Sequence, residues 1–225
     1  LFRYCKDGRA NLNCYLEDHA AVALGLLALY QVTFDLAHLQ AAIDLAGSIL
    51  DRFYDGENGG FFQTAEDHEK LVARRKDFVD SAIPAGNSLV ADLLLRLARL
   101  LDRPQDAGHA AATFRLMADG MAEQPLAFGR LLSALDFYIN PGYEIAILGE
   151  PSAEDTRNLL AEVYRRFTPN SVLAAAAPES EAASAIPLLE GRPMRGGRAT
   201  AYVCQNYACN LPVTTPEELA KQLAG

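Results

Sequence analysis

The sequence predicts a mainly α-helical chain, made of helical hairpins and closed by a small C-terminal α/β segment. Three observations carry that expectation. Apolar residues recur at helical spacing through the first 140 positions, a hairpin-sized pattern repeats, and beyond position 141 the spacing changes to the short apolar runs of buried strands. Leu16, Ala20, Ala23, Leu24, Leu27 and Tyr30 mark a first helix, with Val22, Leu26 and Leu29 filling its other side, as in a helix buried nearly all round. A break from Thr33 to Leu36, where Asp35 can cap, leads into an amphipathic outer helix with Leu39, Ala42, Ile43, Ala46, Ile49, Leu50 and Phe53 inward. About 68 residues on, Leu94-Leu95-Arg96-Leu97 echoes Leu26-Leu27-Ala28-Leu29. A connection at Asp102 to Gln105 and a helix through Ala110, Phe114, Met117 and Met121 complete the second hairpin.

A third helix is expected from Pro125 to Phe137, stopped at Asn140-Pro141-Gly142. Tyr143 to Gly149 reads as a strand, Ser152 or Glu154 to Phe167 as a helix, and Ser171 to Ala174 as a second strand, which together make a βαβ unit. Pro178 to Arg198 reads as loop, Ala199 to Cys204 as a strand, and Thr215-Pro216-Glu217-Glu218 as the opening of a last helix. The expected organisation is residues 1–140 as helical hairpins and residues 141–225 as a βαβ-like segment packed on them in one continuous domain.

Charge and composition narrow the function classes. With 20 Lys+Arg against 29 Asp+Glu the net charge is −9, so a nucleic-acid partner is not expected. Sixteen uncharged residues separate Asp18 from Asp35, fewer than the roughly 18 to 20 a bilayer span needs, so no membrane segment is expected. The chain starts at Leu1 without an apolar leader and reads as a fragment or processed piece. A low cysteine count suits a reducing, cytoplasmic setting.

Short hairpin connections force each helix pair to run antiparallel, which gathers chemistry on one rim. Glu17, Asp18 and His19 start the first helix, and the long Tyr54 to Gly86 segment leads to Asn87 and Ser88 at the next. Glu17 or Asp18 with Asp80 are candidate acid/base carboxylates. The two adjacent residues point about 100° apart on a helix, so at most one of them serves. Arg74, Asp77 and Asn87 are candidate hydroxyl binders, Tyr54, Phe61 and Phe62 stacking platforms, and His19 a proton shuttle or binding residue. The structural alternatives are core packing of Phe61 or Phe62, a salt-bridge network at Arg74 to Asp80, helix capping by Asn87 or Ser88, dipole stabilisation by Glu17 and Asp18, and a hydrogen-bonded wall histidine. Cys204 and Cys209 have neither CxxC nor zinc spacing. They read first as free thiols, then as a disulfide or redox pair, and last as metal ligands. No metal or cofactor is expected, and no HExxH, Walker or GxGxxG motif is present.

The run Leu16-Glu17-Asp18-His19-Ala20, the Asp55-x-x-x-Gly59-Gly60-Phe61-Phe62 turn, Arg74-x-Lys76-Asp77 leading to Asp80-Ser81-Ala82-Ile83-Pro84-Ala85-Gly86-Asn87-Ser88, and the late Tyr202-Val203-Cys204-Gln205-Asn206 with Pro212-Val213-Thr214 resemble the C-terminal portion of the YyaL-type, spermatogenesis-associated thioredoxin-domain family. His19 stands where that pattern usually has Tyr, and Ala85 where it usually has Ser. The resemblance implies part of an α/α toroid like those of six-hairpin glycosidases and N-acylglucosamine 2-epimerases. It also implies partners in cis, an N-terminal thioredoxin-like domain and the remaining toroid hairpins. Two functions are expected from it: a carbohydrate-binding or carbohydrate-processing site on the rim, hydrolase-like or epimerase-like, or a non-catalytic recognition module serving the thioredoxin-like domain.

Overall fold

The computed structural model describes residues 1–68, 73–140, 142–206 and 208–224; Pro141, read above as part of a helix stop, lies outside them. The chain opens with a β-hairpin, β1 (Phe2–Lys6) against β2 (Arg9–Asn13), in which Lys6 pairs with Arg9. The two residues between them, Asp7 (φ 52°) and Gly8 (φ 73°), have the left-handed backbone that a two-residue hairpin turn requires.

Four long helices follow in two hairpins: α1 (Leu16–Thr33) with α2 (Leu36–Phe53), and α3 (Gly86–Leu101) with α4 (Pro104–Leu116). The repeat is visible at their hinges. Phe34 (φ 56°) and Asp102 (φ 50°) both end the first helix of a pair in the left-handed region. Asp35 starts α2 as expected, its carboxylate accepting from Ala37 N–H at 2.9 Å. The expected helix through Met117 and Met121 is broken at Met117 into α4 and α5 (Ala118–Glu123). Pro125 opens a 3₁₀ turn, Pro125–Phe128, before α6 (Gly129–Ile139).

The βαβ unit is present as β3 (Glu144–Leu148), α7 (Glu154–Tyr164) and β4 (Val172–Ala176), with β3 and β4 parallel. A short helix, α8 (Glu181–Ala185), interrupts the stretch read as loop. Then come β5 (Thr200–Gln205), β6 (Ala208–Cys209) and α9 (Pro216–Gln222). β5 lies antiparallel to β3, and the sheet order is β4-β3-β5-β6.

This is a mixed α/β fold, and it corrects the expectation of a mainly α, toroid-type chain. The reason lies in what the helices pack against. The inner stripe of the helices, read as the lining of a ring, shares one core with Ala146 and Leu148 of β3 and with Val172, Ala174 and Ala176 of β4. Ile145 and Ile147 point to the opposite face and pack with Leu159 and Val163 of α7 and Leu219 of α9. Both faces of β3 are therefore covered and all five of its residues are buried, Glu144 included, which is why Ile145 to Leu148 read as an apolar run.

Candidate functional site

The rim inferred from loop length exists. The start of α1 meets the start of α3: a Cβ on Gly86 would lie 2.9 Å from Leu16 Cδ2 and 3.2 Å from Glu17 N, so a larger residue there requires Leu16 or the α1 backbone to give way. The intervening chain is sewn in place, with Leu16 N–H donating to Gln63 O at 3.0 Å and Gln63 N–H to Arg75 O at 2.7 Å.

Glu17 and Asp18 project from the first turn of α1 under Arg3 of the opening hairpin, which comes within 3.9 Å of Glu17 and 3.7 Å of Asp18. Asp18 also accepts from Tyr15 N–H at 3.0 Å, the helix-start role foreseen as the alternative to catalysis. Burial pushes the Glu17 carboxyl above its ordinary pKa, and the nearby charges of Asp18 and Asp77 push the same way, against Arg3 and a backbone hydrogen bond. His19 is buried against Phe53, ring centroids 5.2 Å apart, with Nδ1 donating to Tyr15 O at 3.0 Å. Burial lowers its pKa, so it is a neutral wall residue near pH 7.

The other predicted site residues are placed by the folding of the 54–86 segment. Asn87 is fully buried: its Oδ1 accepts from Phe61 N–H at 2.8 Å, and its Nδ2 donates to Phe61 O at 2.9 Å and Asp77 O at 2.8 Å. It does not cap α3, whose cap position is Ala85; Ser88 is likewise buried inside the first turn. Asp80 accepts from Ala85 N–H at 2.8 Å and Arg130 N–H at 2.7 Å, so one carboxylate ties the starts of α3 and α6 together. Arg74 donates to the carbonyls of Thr64 (2.7 Å) and Arg52 (3.1 Å) and stacks 4.2 Å from the Phe62 ring. Phe61 is fully buried, and Tyr54 is packed between it and His109 at 5.1 and 4.5 Å. Asp77 alone of this group leaves an exposed side chain, whose Oδ1 accepts from Val79 N–H at 3.3 Å.

Two clusters escaped the sequence reading. Lys76 pairs with Asp55 at 2.7 Å inside the glycine-rich turn, and with the turn's own N–H groups it holds the Asp55 carboxyl well below the usual range. Buried Asp92 of α3 binds Arg96 at 2.8 Å and also Arg130. Helical spacing foretells only Asp92–Arg96, which stand four residues apart on α3, because Lys76–Asp55 and Arg130–Asp92 join separate segments. Cys204 and Cys209 form a disulfide, which corrects the leading expectation of free thiols; β5 and β6 set them directly opposite one another. Cys5 and Cys14 are free. Among the described residues no group of three or more His, Cys, Asp or Glu could hold a metal ion, and no helix is long and apolar enough to cross a membrane.

Fold and rim together define a mixed α/β unit whose helical hairpins cover a sheet and whose polar loop is fastened from within. Known relatives share the sequence that builds it. The chain is 34% identical over 234 residues to spermatogenesis-associated protein 20 of Homo sapiens, covering 99% of this chain and 30% of that protein. It is 34% identical over 212 residues to the protein of the same name in Rattus norvegicus, covering 93% and 27%. An uncharacterized protein of Caenorhabditis elegans is 22% identical over 214 residues, 95% of this chain and 29% of that protein. No family model matches the chain. Similarity over nearly the whole chain supports the spermatogenesis-associated family, and the chain spans about 30% of the length of the human relative.

Proposed function

We propose that the chain is a non-catalytic recognition module of a longer protein, serving the thioredoxin-like domain implied by the family resemblance. The observation that carries this reading is the internal use of the rim's polar groups. Both Asp80 oxygens, both polar atoms of Asn87, and Nε and one terminal nitrogen of Arg74 are bonded to backbone groups of the chain itself. A catalytic acid/base or a hydroxyl binder needs donor or acceptor capacity left over for substrate.

One observation favours the carbohydrate-processing reading instead. Glu17 is half-buried with a raised pKa, within electrostatic reach of exposed Asp77, and two nearby carboxyls in different environments are the pairing that general-acid chemistry on a glycosidic bond requires. Asp77, read earlier as a hydroxyl binder, is then the partner in place of Asp80.

A thermal-shift titration separates the two, because a ligand that binds only the folded state raises the melting temperature. Stabilisation by a separately produced thioredoxin-like domain of the parent protein, with no response to mono- or oligosaccharides, supports recognition. Stabilisation by a sugar that is lost in Glu17→Gln, together with hydrolysis or epimerisation of that sugar, overturns it in favour of the carbohydrate reading.

A further inference from the structure

The Cys204–Cys209 pair is asymmetric. Cys204 lies in the middle of the sheet and is fully buried, whereas Cys209 sits on the two-residue edge strand β6 and is exposed. One terminal nitrogen of Arg192 approaches both sulfurs, at 3.3 Å from Cys204 Sγ and 3.2 Å from Cys209 Sγ. The loop carrying Arg192 is pinned to β5 at two points: Tyr202 Oη donates to Pro193 O at 2.5 Å, and Arg195 N–H donates to Thr200 Oγ1 at 2.8 Å. Arg192 also lines a cleft of about 530 Å³ with Leu148, Ser184 and Met194, while the pair itself is open to solvent at exposed Cys209.

A half-buried guanidinium gains little from a neutral disulfide, since divalent sulfur is a weak acceptor. Its partner becomes strong only when a sulfur carries negative charge, which happens when the bond opens. We propose that Cys204–Cys209 is an exchangeable dithiol/disulfide pair, with Cys209 the sulfur attacked, Arg192 the residue that stabilises the thiolates, and an external dithiol the co-reactant.

The exchange runs as two displacements. A thiolate of the external dithiol attacks Cys209 Sγ; the Cys204–Cys209 bond breaks, and its electron pair leaves on Cys204 Sγ beside Arg192. The second thiolate of the reagent then attacks its own sulfur in the mixed disulfide, and the bond to Cys209 breaks with the pair leaving on Cys209 Sγ. Two electrons and two protons pass to the protein pair, and the reagent becomes a disulfide. The geometry favours a dithiol over a monothiol. Cys204 stays opposite Cys209 in the strand register and expels a single thiol from the mixed disulfide, whereas a second thiol on the reagent completes the reaction. Glu144 of β3 pairs in register with Cys204, and with Tyr202 it adds the charged and titratable groups around Arg192, so it opposes part of the thiolate stabilisation.

The test is peptide-resolved alkylation of the reduced chain across pH, together with the rate of disulfide reduction by dithiothreitol and by glutathione. The expected results are a Cys209 alkylation midpoint below the ordinary thiol value of about 8.5 and reduction that dithiothreitol completes but glutathione does not. Arg192→Gln is expected to slow reduction by dithiothreitol about five- to tenfold, and Arg192→Lys to recover part of the loss. A Cys209 midpoint at or above about 8.5 in the unaltered chain overturns the proposal whether or not the variants fold. An unchanged rate in folded Arg192→Gln overturns the role of Arg192.

Discussion

The described residues of the 54–86 loop and the C-terminal sheet are held by different means. The sheet is a ladder of main-chain pairs with apolar side chains on both faces, and its strand-to-strand hydrogen bonds come from main chain alone. Among its described residues the loop's strand pairing is the single bridge between Tyr54 and Phe61. Scattered turn and loop bonds, such as Asp55 N–H to Gly60 O and Gln63 N–H to Arg75 O, are joined there by individual side chains: Asn87 serves Phe61 and Asp77, Asp80 serves Ala85, and Arg74 serves Thr64, while Asp80 and Arg74 also reach Arg130 of α6 and Arg52 of α2. Irregular backbone can be buried only if something answers its N–H and C=O groups, and here polar side chains are that answer. Such a loop is fragile to single polar substitutions, whereas the sheet is fragile to loss of volume.

The largest effect is therefore expected at Asn87. Asn87→Ala leaves Phe61 N–H, Phe61 C=O and Asp77 C=O without their partner, and a loss of about 4 kcal/mol is expected by urea denaturation. Hydrogen exchange is expected to show the loop opening before the rest of the chain. In the sheet, Ile147→Ala removes a fully buried side chain and is expected to cost about 3 kcal/mol, with exchange rising across β3, β4 and β5 together. Matching local patterns in the two variants would dissolve the contrast. Asp80→Asn keeps one acceptor oxygen for two N–H groups and is expected to lose about 1.5 kcal/mol. A loss near zero would mean that water replaces the carboxylate.

A smaller effect is expected from pH. Because burial depresses the His19 pKa, the unfolded chain binds a proton that the folded chain refuses. The stability linked to this group is complete above about pH 6.5 and declines as pH falls below that value toward the lower folded midpoint. Melting curves between pH 7 and 5 check this, and the His19-linked part of the slope is expected to vanish in His19→Gln. The smallest effect is at Val32, an exposed residue on the outer face of α1, where Val32→Ser is expected to stay within about 0.5 kcal/mol.

The same contrast explains what the sequence disclosed. α1, α2 and α3 carry 3.6-residue patterns and β3 an apolar run, so their positions followed from spacing, as did the rim on which the helices begin. The opening hairpin was missed although Asp7-Gly8 is a hairpin signal, because its strands are exposed and lack an apolar alternation. Local sequence offers Asn87 as a hydroxyl binder or a helix cap and Asp80 as an acid/base carboxylate, because their partners lie far along the chain: Asn87 binds Phe61, 26 residues away, and Asp80 binds Arg130, 50 residues away. Side-chain-to-backbone bonds at such separations leave no local pattern. The toroid expectation failed for a related reason, since an apolar helix stripe looks the same whether it faces another helix or a sheet.

The last strand of the sheet on its β4 side is an open edge, and the bundle closes it. Leu173 N–H, which points away from β3, donates to Gln31 Oε1 of α1 at 2.9 Å, and Arg96 takes the Ser171 carbonyl at 3.2 Å. Free edge amides are templates onto which a strand from another molecule can add. Gln31 and Arg96 thus act as chaperoning side chains: the helices that build the rim also keep the β4 edge from recruiting foreign strands, so a lesion in α1 is expected to surface as aggregation as well as lost stability.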